Sequence, residues 1–497
     1  MTVITIGKSA AGREVELRLD KANRHGLVTG ATGTGKTVSL QLLMEGFSRA
    51  GVPVFAADVK GDLSGIAAFG QDDSRAADRS RKMTGHFKAD RFPVTFWDLF
   101  GEHGHPIKTS VQQIGPDLTS QMLRLNETQA GAIAIAFKKA VNDQAWMLTL
   151  DDLRWTLNEM IEERAETCEK YGNVTASSIN TAQRQLLSLE SQGGDKLFGE
   201  PPFSVLDLIR KREDGRGYIN LLHADQLMEA PKLYATFLLW LLTELFRELP
   251  EVGDVDKPKM VFFFDEAHLL FSDAPKQLLE KIERLVRLVR SKGVGVYFVT
   301  QSPKDVPDAV LSQLGNRIQH ALRAYTPKDQ RMVRAAAQAF RPNRDVDVKT
   351  VITEMGVGEA LVSCMDEDGI PLPVERVKVM SPSAHIGPIT NDERHVIMKA
   401  SPFAGSRAEK PIHEQGYHFM RRMKEDAGID PGPDNGPPDY VPGQIAAESQ
   451  ITVDALMELN GMVEQEQRPR GLTGRHFFWG WLICTVVAVT ADLVGVF

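Results

Sequence analysis

Residues 30–37 read Gly30-Ala31-Thr32-Gly33-Thr34-Gly35-Lys36-Thr37, the pattern G-x-x-x-x-G-K-T, and this spacing can wrap a polyphosphate. Glycines permit a curl tight enough to point successive backbone N–H groups inward. A helix starting beside Lys36 adds the positive end of its dipole. In such a loop Lys36 reaches the β- and γ-phosphates of ATP and the Thr37 hydroxyl ligates Mg2+. Gly30, Ala31, Thr32, Gly33, Thr34, Gly35 and Val38 line the nucleotide. A second signal is Asp265-Glu266, which closes an apolar run, MVFFF. A buried strand ending there delivers both acids to one edge of a sheet. Asp265 is expected to hold the metal's water shell, and Glu266 to orient or deprotonate water. A nucleotide switch does not need the second carboxylate, so the pair implies hydrolysis.

Other polar positions complete the expected site. Gln301 follows the apolar run 294–300 and is placed to sense the γ-phosphate. Arg287 and Arg290 fall off the apolar stripe Leu278, Ile282, Leu285 and Val289. They read either as solvated charge at a helix end or as an arginine finger reaching a neighbouring subunit's ATP, Arg290 before Arg287. Arg317 and Arg323 are rivals for that role. Arg24 is expected to pair with Glu266 or touch the nucleotide. His103 and His105 have a metal-like spacing but no third ligand nearby, and read as solvated loop residues. Asp151-Asp152 reads as a helix start, and Cys364 as a buried strand residue.

Apolar runs at 27–29, 52–58, 94–97, 217–222, 260–265, 294–300, 317–322 and 359–363 alternate with helical patterns such as 38–50 and 276–292. That rhythm predicts an α/β fold with a mainly parallel sheet covered on both faces. Residues 1–25 read as a short strand-rich lead, and 26–117 as the first part of the core. The stretch 118–213, rich in helix formers, reads as a helical insertion, and 214–385 as the second part of the core. From 386 to 470 a mobile, partly helical linker is expected, since 431–442 holds five prolines in twelve residues. The end, 477–497, is 21 residues with one charge, Asp492. It is long enough to cross a bilayer and equally reads as a helix docked on another subunit.

The chain has 497 residues, net charge −8, and 42% hydrophobic residues. A sizeable core is therefore expected, with no global basic field to hold nucleic acid. Three scattered cysteines, Cys168, Cys364 and Cys484, suit a reducing compartment. A cytoplasmic catalytic part is expected, with membrane contact, if any, through 477–497.

Together NRHGLVTGATGTGKT, VPVFAADVKGDLSGI, FFFDEAHLLF, RLVRSKGVGVYFVTQSP and LGNRIQHALRAYTPKDQ resemble the HerA-like branch of the HerA/FtsK motor ATPases, more closely the YjgR-type proteins. The resemblance covers about residues 1–400. It implies a RecA-like core, ATP and Mg2+ as cofactors, assembly into a homo-oligomeric ring, usually a hexamer, and double-stranded DNA as the track. It matches Lys36 and Thr37 to the Walker A pair, Asp265 and Glu266 to the Walker B pair, Gln301 to the sensor, and the Arg287/Arg290 region to the arginine finger. Asp58, Lys60 and Asp62 receive no role. Only 29 residues precede Gly30, so the N-terminal β-barrel of HerA proper is not expected. Alternatives to the DNA motor are an ATPase acting on protein or at a membrane, and a nucleotide-gated scaffold.

Overall fold

The computed structural model describes residues 2–404 apart from 144, 146, 200–203, 254 and 272–275. The described chain forms two units. One comprises Met1–Pro106 and Ser204–Ala404, and the described residues of the other run from 107 to 199. The expected tail 405–470 and the apolar stretch 477–497 lie outside the described residues. Among those described, no helix is long and apolar enough to cross a membrane.

The first unit is built on one sheet. In chain order its strands are β1 (Val3–Ser9), β2 (Glu14–Arg18), β3 (Gly26–Thr29), β4 (Val54–Asp58), β5 (Val94–Asp98) and β6 (His105–Pro106). After the second unit come β7 (Ile219–His223), β8 (Met260–Phe264), β9 (Val294–Thr300), β10 (Asn316–His320), β11 (Glu359–Ser363) and β12 (Glu375–Val379). Their spatial order is β2-β1-β12-β11-β10-β3-β9-β8-β4-β7-β5-β6. From β10 to β6 all neighbours are parallel. From β10 outward to β2 they are antiparallel. The fold is thus α/β with a mainly parallel, RecA-like sheet, extended on one side by an antiparallel flank that uses the N-terminal lead.

Period-two alternation explains why the central strands are apolar throughout. In β8, Val261 and Phe263 join the core beneath helix α1 (Lys36–Arg49), with Leu43, Phe47, Tyr297 and Val299. Phe262 and Phe264 face the other way and meet Phe55 and Phe298, at 5.0 and 5.6 Å between ring centroids. Both faces are buried, so no position is left for a polar side chain until the strand ends.

Helix α2 (Arg75–Thr84) follows β4. The second unit is helical: α3 (Val111–Met122), α4 (Glu127–Asn142), α5 (Leu150–Glu162), α6 (Arg164–Tyr171) and α7 (Ala176–Glu190). Ser110, Asn126 and Thr149 start three of these helices with reciprocal capping boxes. This unit begins at Ile107, where 118 had been expected, because Val111–Ile114 already form the first turn of α3 before a break at Gly115, φ 78°. The first unit resumes at Ser204, where 214 had been expected, since 205–209 form a short 3-10 helix packed in it.

The remaining helices are α8 (Pro231–Glu248), α9 (His268–Phe271), α10 (Lys276–Val289), α11 (Asp308–Leu311), α12 (Pro327–Gln338), α13 (Val348–Glu354) and α14 (Asn391–Lys399). Residues 386–404, expected to open a linker, instead pack on the sheet. Arg394 of α14 lies over the Phe96 ring at 4.4 Å, and Phe403 meets Trp97 at 4.9 Å.

Candidate nucleotide site

The carboxyl edge of the parallel strands gathers most of the polar residues singled out by sequence. Register fixes their order. Asp58 pairs with His223, which pairs with Asp98, while Ala57 pairs with Phe264, so Asp265 emerges beside Asp58. Thr29 pairs with Thr300. The glycine loop leaves β3, Gln301 leaves β9, and Asp265-Glu266 leave β8, three adjacent strands.

Within the loop Gly30, Gly33 and Gly35 have φ of 154°, 75° and 116°. A Cβ on Gly30 would stand 2.5 Å from the Cβ of His320, so glycine is required there. The Lys36 ammonium is curled inside, donating to the carbonyls of Gly30 at 2.6 Å and Ala31 at 3.1 Å. Thr34 Oγ1 donates to the Ala31 carbonyl at 2.7 Å. Thr32 and Gly33 are exposed, and Val38 is half-buried in the first turn of α1.

Neighbouring segments hold the loop from three sides. The Ala31 N–H donates to the carbonyl of Ala321 at 2.9 Å, and the Gly358 N–H donates to that of Thr34 at 3.0 Å. Arg79 of α2 locks the Gly358 turn in turn, donating to the carbonyls of Val357, Gly358 and Val379. Behind the loop, His320 accepts from Ser39 Oγ at Nε2, 2.8 Å, and donates from Nδ1 to the Glu359 carbonyl, 2.9 Å. Burial pushes its pKa down to about 4, so this ring is neutral.

At the acidic side, Asp265 and Glu266 are buried. Glu266 has a left-handed backbone, φ 46°, rare for a residue with a Cβ, and its N–H donates to Asp265 Oδ1 at 2.9 Å. Its Oε1 accepts from Lys60 Nζ at 2.5 Å, and His268 Nδ1 lies 3.3 Å from Oε2. Burial pushes Glu266 upward, but the Lys60 hydrogen bond and charge, with His268 and Lys36, hold it below the usual carboxylate range. Burial and the charge of Glu266 raise Asp265 to about 6. Burial and the charge of Asp62 raise Asp58 to about 7. Thr37 Oγ1 donates to Asp62 Oδ2 at 3.3 Å. Three buried oxygens here, Asp58 Oδ1, Asp62 Oδ1 and Glu266 Oε2, have no hydrogen-bond partner among the described residues. The edge is thus lined by four acids, of which Glu266 is tied to Lys60.

Arg24, Arg317, His103 and His105 depart from expectation, whereas both readings of Arg287 and Arg290 fit their place. Arg24 does not approach Glu266. It precedes β3 at the amino edge, its carbonyl accepting from Gly315 N–H, with the length of β3, about 13 Å, between it and the loop. Lys60 holds Glu266 in its place. Arg287 and Arg290 also stand at the amino edge, at the end of α10 and just before β9. Arg287 pairs with Glu283 at 2.8 Å, and Arg290 lies near His25. Neither can meet the nucleotide of its own subunit. Arg317 is structural, its guanidinium donating to the carbonyls of Leu314, Ala339 and Leu311. His103 and His105 are not loose either. The His103 ring meets His223 at 4.6 Å, and His105 packs on Trp97 and Phe403.

Gln301 is exposed at its strand tip. Lys60, Asp62 and His320 had no assigned role. The only signal for the first two was their place after an apolar strand, and that strand's neighbour in space is not written in the sequence.

The chain matches the family Helicase HerA-like C-terminal over residues 4–453. The DNA double-strand break repair helicase HerA of Sulfolobus acidocaldarius is 22% identical over 383 residues, 72% of this chain and 66% of that protein. Its namesake from Saccharolobus solfataricus is 23% identical over 367 residues, 72% and 64% of the two chains. The chain therefore spans just under two thirds of the length of these relatives. The bacterial conjugative coupling protein TrwB shares the fold, with TM-score 0.51, 14% identity, and coverage of 76% of this chain and 89% of its own. The family match spans most of the chain, and the chain belongs to the HerA-like helicase family of HerA/FtsK P-loop ATPases.

Proposed function

We propose that this chain hydrolyses ATP with Mg2+ to drive movement along, or remodelling of, double-stranded DNA, as a homo-oligomeric ring and most simply a hexamer. The observation that carries the reading is the convergence of Lys36, Thr37, Asp265, Glu266 and Gln301 on one sheet edge.

Each residue has a task there. The Lys36 ammonium leaves the carbonyls of Gly30 and Ala31 for the β- and γ-phosphates, opening the loop's N–H groups to the same anion. The Thr37 hydroxyl and Asp265, with Asp62 behind Thr37, would hold Mg2+. The donor set fits: hard oxygens, several of them buried without hydrogen-bond partners among the described residues. Among the described residues no three acidic, His or Cys side chains converge as a closed metal cage. That suits an ion which keeps waters and shares phosphate oxygens. When bound, the ion neutralises charge developing on the phosphates. Glu266 accepts the proton of the attacking water. Lys60 keeps that carboxylate ionised and aimed. Gln301 contacts the γ-phosphate through water. Arg287 or Arg290 completes the site of an adjacent subunit.

The test is ATPase rate at low salt with and without duplex DNA. Wild type should turn over ATP and be stimulated. Lys36→Ala should lose nucleotide affinity, and Glu266→Gln should bind ATP without turnover. An unaltered rate with DNA of every form would reject the DNA track, and unaltered turnover in Lys36→Ala would reject the site.

A further inference from the structure

The surface beside the phosphate loop carries a feature that ATP chemistry does not use. Beyond β10 the chain runs through Arg323, Tyr325 and α12, whose outward side bears Lys328, Arg331 and Arg334. Spaced three apart, these three lie along one side of the helix. Lys304, in the turn after β9, adjoins them, since Ser302 Oγ contacts Met332 Sδ at 3.5 Å. All five cations are exposed. Among the described residues none of them makes an ion pair, although basic residues elsewhere on this surface do, such as Arg13, Arg81 and Arg287. The acid within α12, Asp329, caps its N-terminus, accepting from Tyr325 N–H at 3.1 Å and Thr326 N–H at 2.8 Å, and offsets part of the Lys328 charge. Tyr325 is 86% exposed. In a chain of net charge −8, such a basic, aromatic-bearing surface runs against the overall field.

We infer that this surface, Lys304, Arg323, Tyr325, Lys328, Arg331 and Arg334, is where the phosphate backbone of duplex DNA is gripped. The inference rests on the DNA-motor reading above and names its contact surface. Lysine, arginine and tyrosine are the side chains that position a protein on phosphates without reading sequence. An acidic protein binds such a polymer only through a local patch. The patch also has a route to ATP. Arg323 is two residues from Ala321, whose carbonyl holds the N–H of Ala31 in the phosphate loop. Leu322 and Val333 anchor the segment in a small apolar cluster with Ile352, Met355 and Leu361. Tension on the patch therefore reaches the loop through a short, packed path.

The experiment compares wild type with Arg331→Glu/Arg334→Glu, and with Arg331→Lys/Arg334→Lys as the charge-conserving control. Binding of a 30-base-pair duplex is followed by anisotropy over a salt series, alongside ATPase rates. The reversal should weaken binding at least about tenfold at low salt and lower the slope of log K against log salt by about 2, one released counterion per lost contact. DNA stimulation should fall while the DNA-free rate is unchanged, and the lysine control should bind as wild type. Wild-type affinity and slope in the reversal variant would overturn the inference. So would a variant that loses binding only to phosphatidylserine vesicles, which would mark a membrane surface. Failure of wild type itself to bind duplex would instead sink the motor reading.

Discussion

The lysine–glutamate pair at the carboxyl edge sets what Glu266 can do. Its carboxylate is buried, which disfavours its charge, and the Lys60 hydrogen bond and the charges of Lys60, His268 and Lys36 keep it ionised. Lys60 supplies its own charge at 2.5 Å from a half-exposed side chain, free to adjust when phosphate arrives. Lys60→Met should leave ADP affinity within about twofold and cut kcat by about 10- to 100-fold, part of the roughly 100- to 10,000-fold that a positioned proton acceptor contributes. Nucleotide titration and steady-state rates check this. Equal losses of ADP affinity and kcat would assign Lys60 to the fold instead. Sequence exposed Lys36, Thr37, Asp265 and Glu266 because the chemistry of phosphate and metal demands those types at those spacings. It left Lys60 and Asp62 without roles because their partners come from β8 and α1, and strand neighbours are set by packing. Arg24 falls away from the site for a different reason: it is six residues from the loop, yet the whole of β3 lies between them.

Elements are legible where period and capping agree. Every apolar run read as a strand is one, because buried parallel strands need continuous apolar residues. Asp151-Asp152 does mark a helix start, with Asp152 completing the Thr149 cap. Residues 386–404, expected to open a linker, pack through Ile389, Ile397, Met398 and Phe403, a pattern too sparse to read as a core element; just before them the hold on the fold is polar and buried. Glu45, fully buried in α1, accepts from the N–H groups of Ser383 at 2.8 Å and Ala384 at 2.9 Å, while Gln41 Nε2 donates to the His385 carbonyl at 2.9 Å. That clamp ties the strap leading to α14 onto the helix that follows the phosphate loop. Glu45→Ala strips both N–H groups of their acceptor and should cost about 3 kcal/mol, seen as a Tm lowered by roughly 5–10 °C. Glu45→Gln keeps one acceptor and should lose less than half of that. Calorimetry of the two variants decides it, and equal losses would show that packing volume, not acceptance, is what Glu45 contributes.

At the scale of the whole molecule, the candidate residues divide between the two edges of the sheet. The proposed phosphate chemistry belongs to the carboxyl ends of β3, β8 and β9, whereas Arg287 and Arg290 sit where β9 begins. The seven residues of β9 separate them by about 23 Å, too far for an arginine side chain to bridge. If these arginines serve catalysis, they serve another copy, and each ATP site needs two chains. This can be tested by mixing two inactive variants, Lys36→Ala and Arg287→Ala/Arg290→Ala. A working site then pairs an intact phosphate loop from one variant with intact arginines from the other. Random assembly from equal amounts should restore up to about a quarter of the wild-type rate, because half the loops and half the neighbouring arginines are functional. The restored activity should vanish on dilution below the assembly concentration, as linkage requires. A mixture that stays inactive while sedimentation shows mixed oligomers would mean that these arginines do not act across subunits, and their charge would then belong to the end of α10 alone.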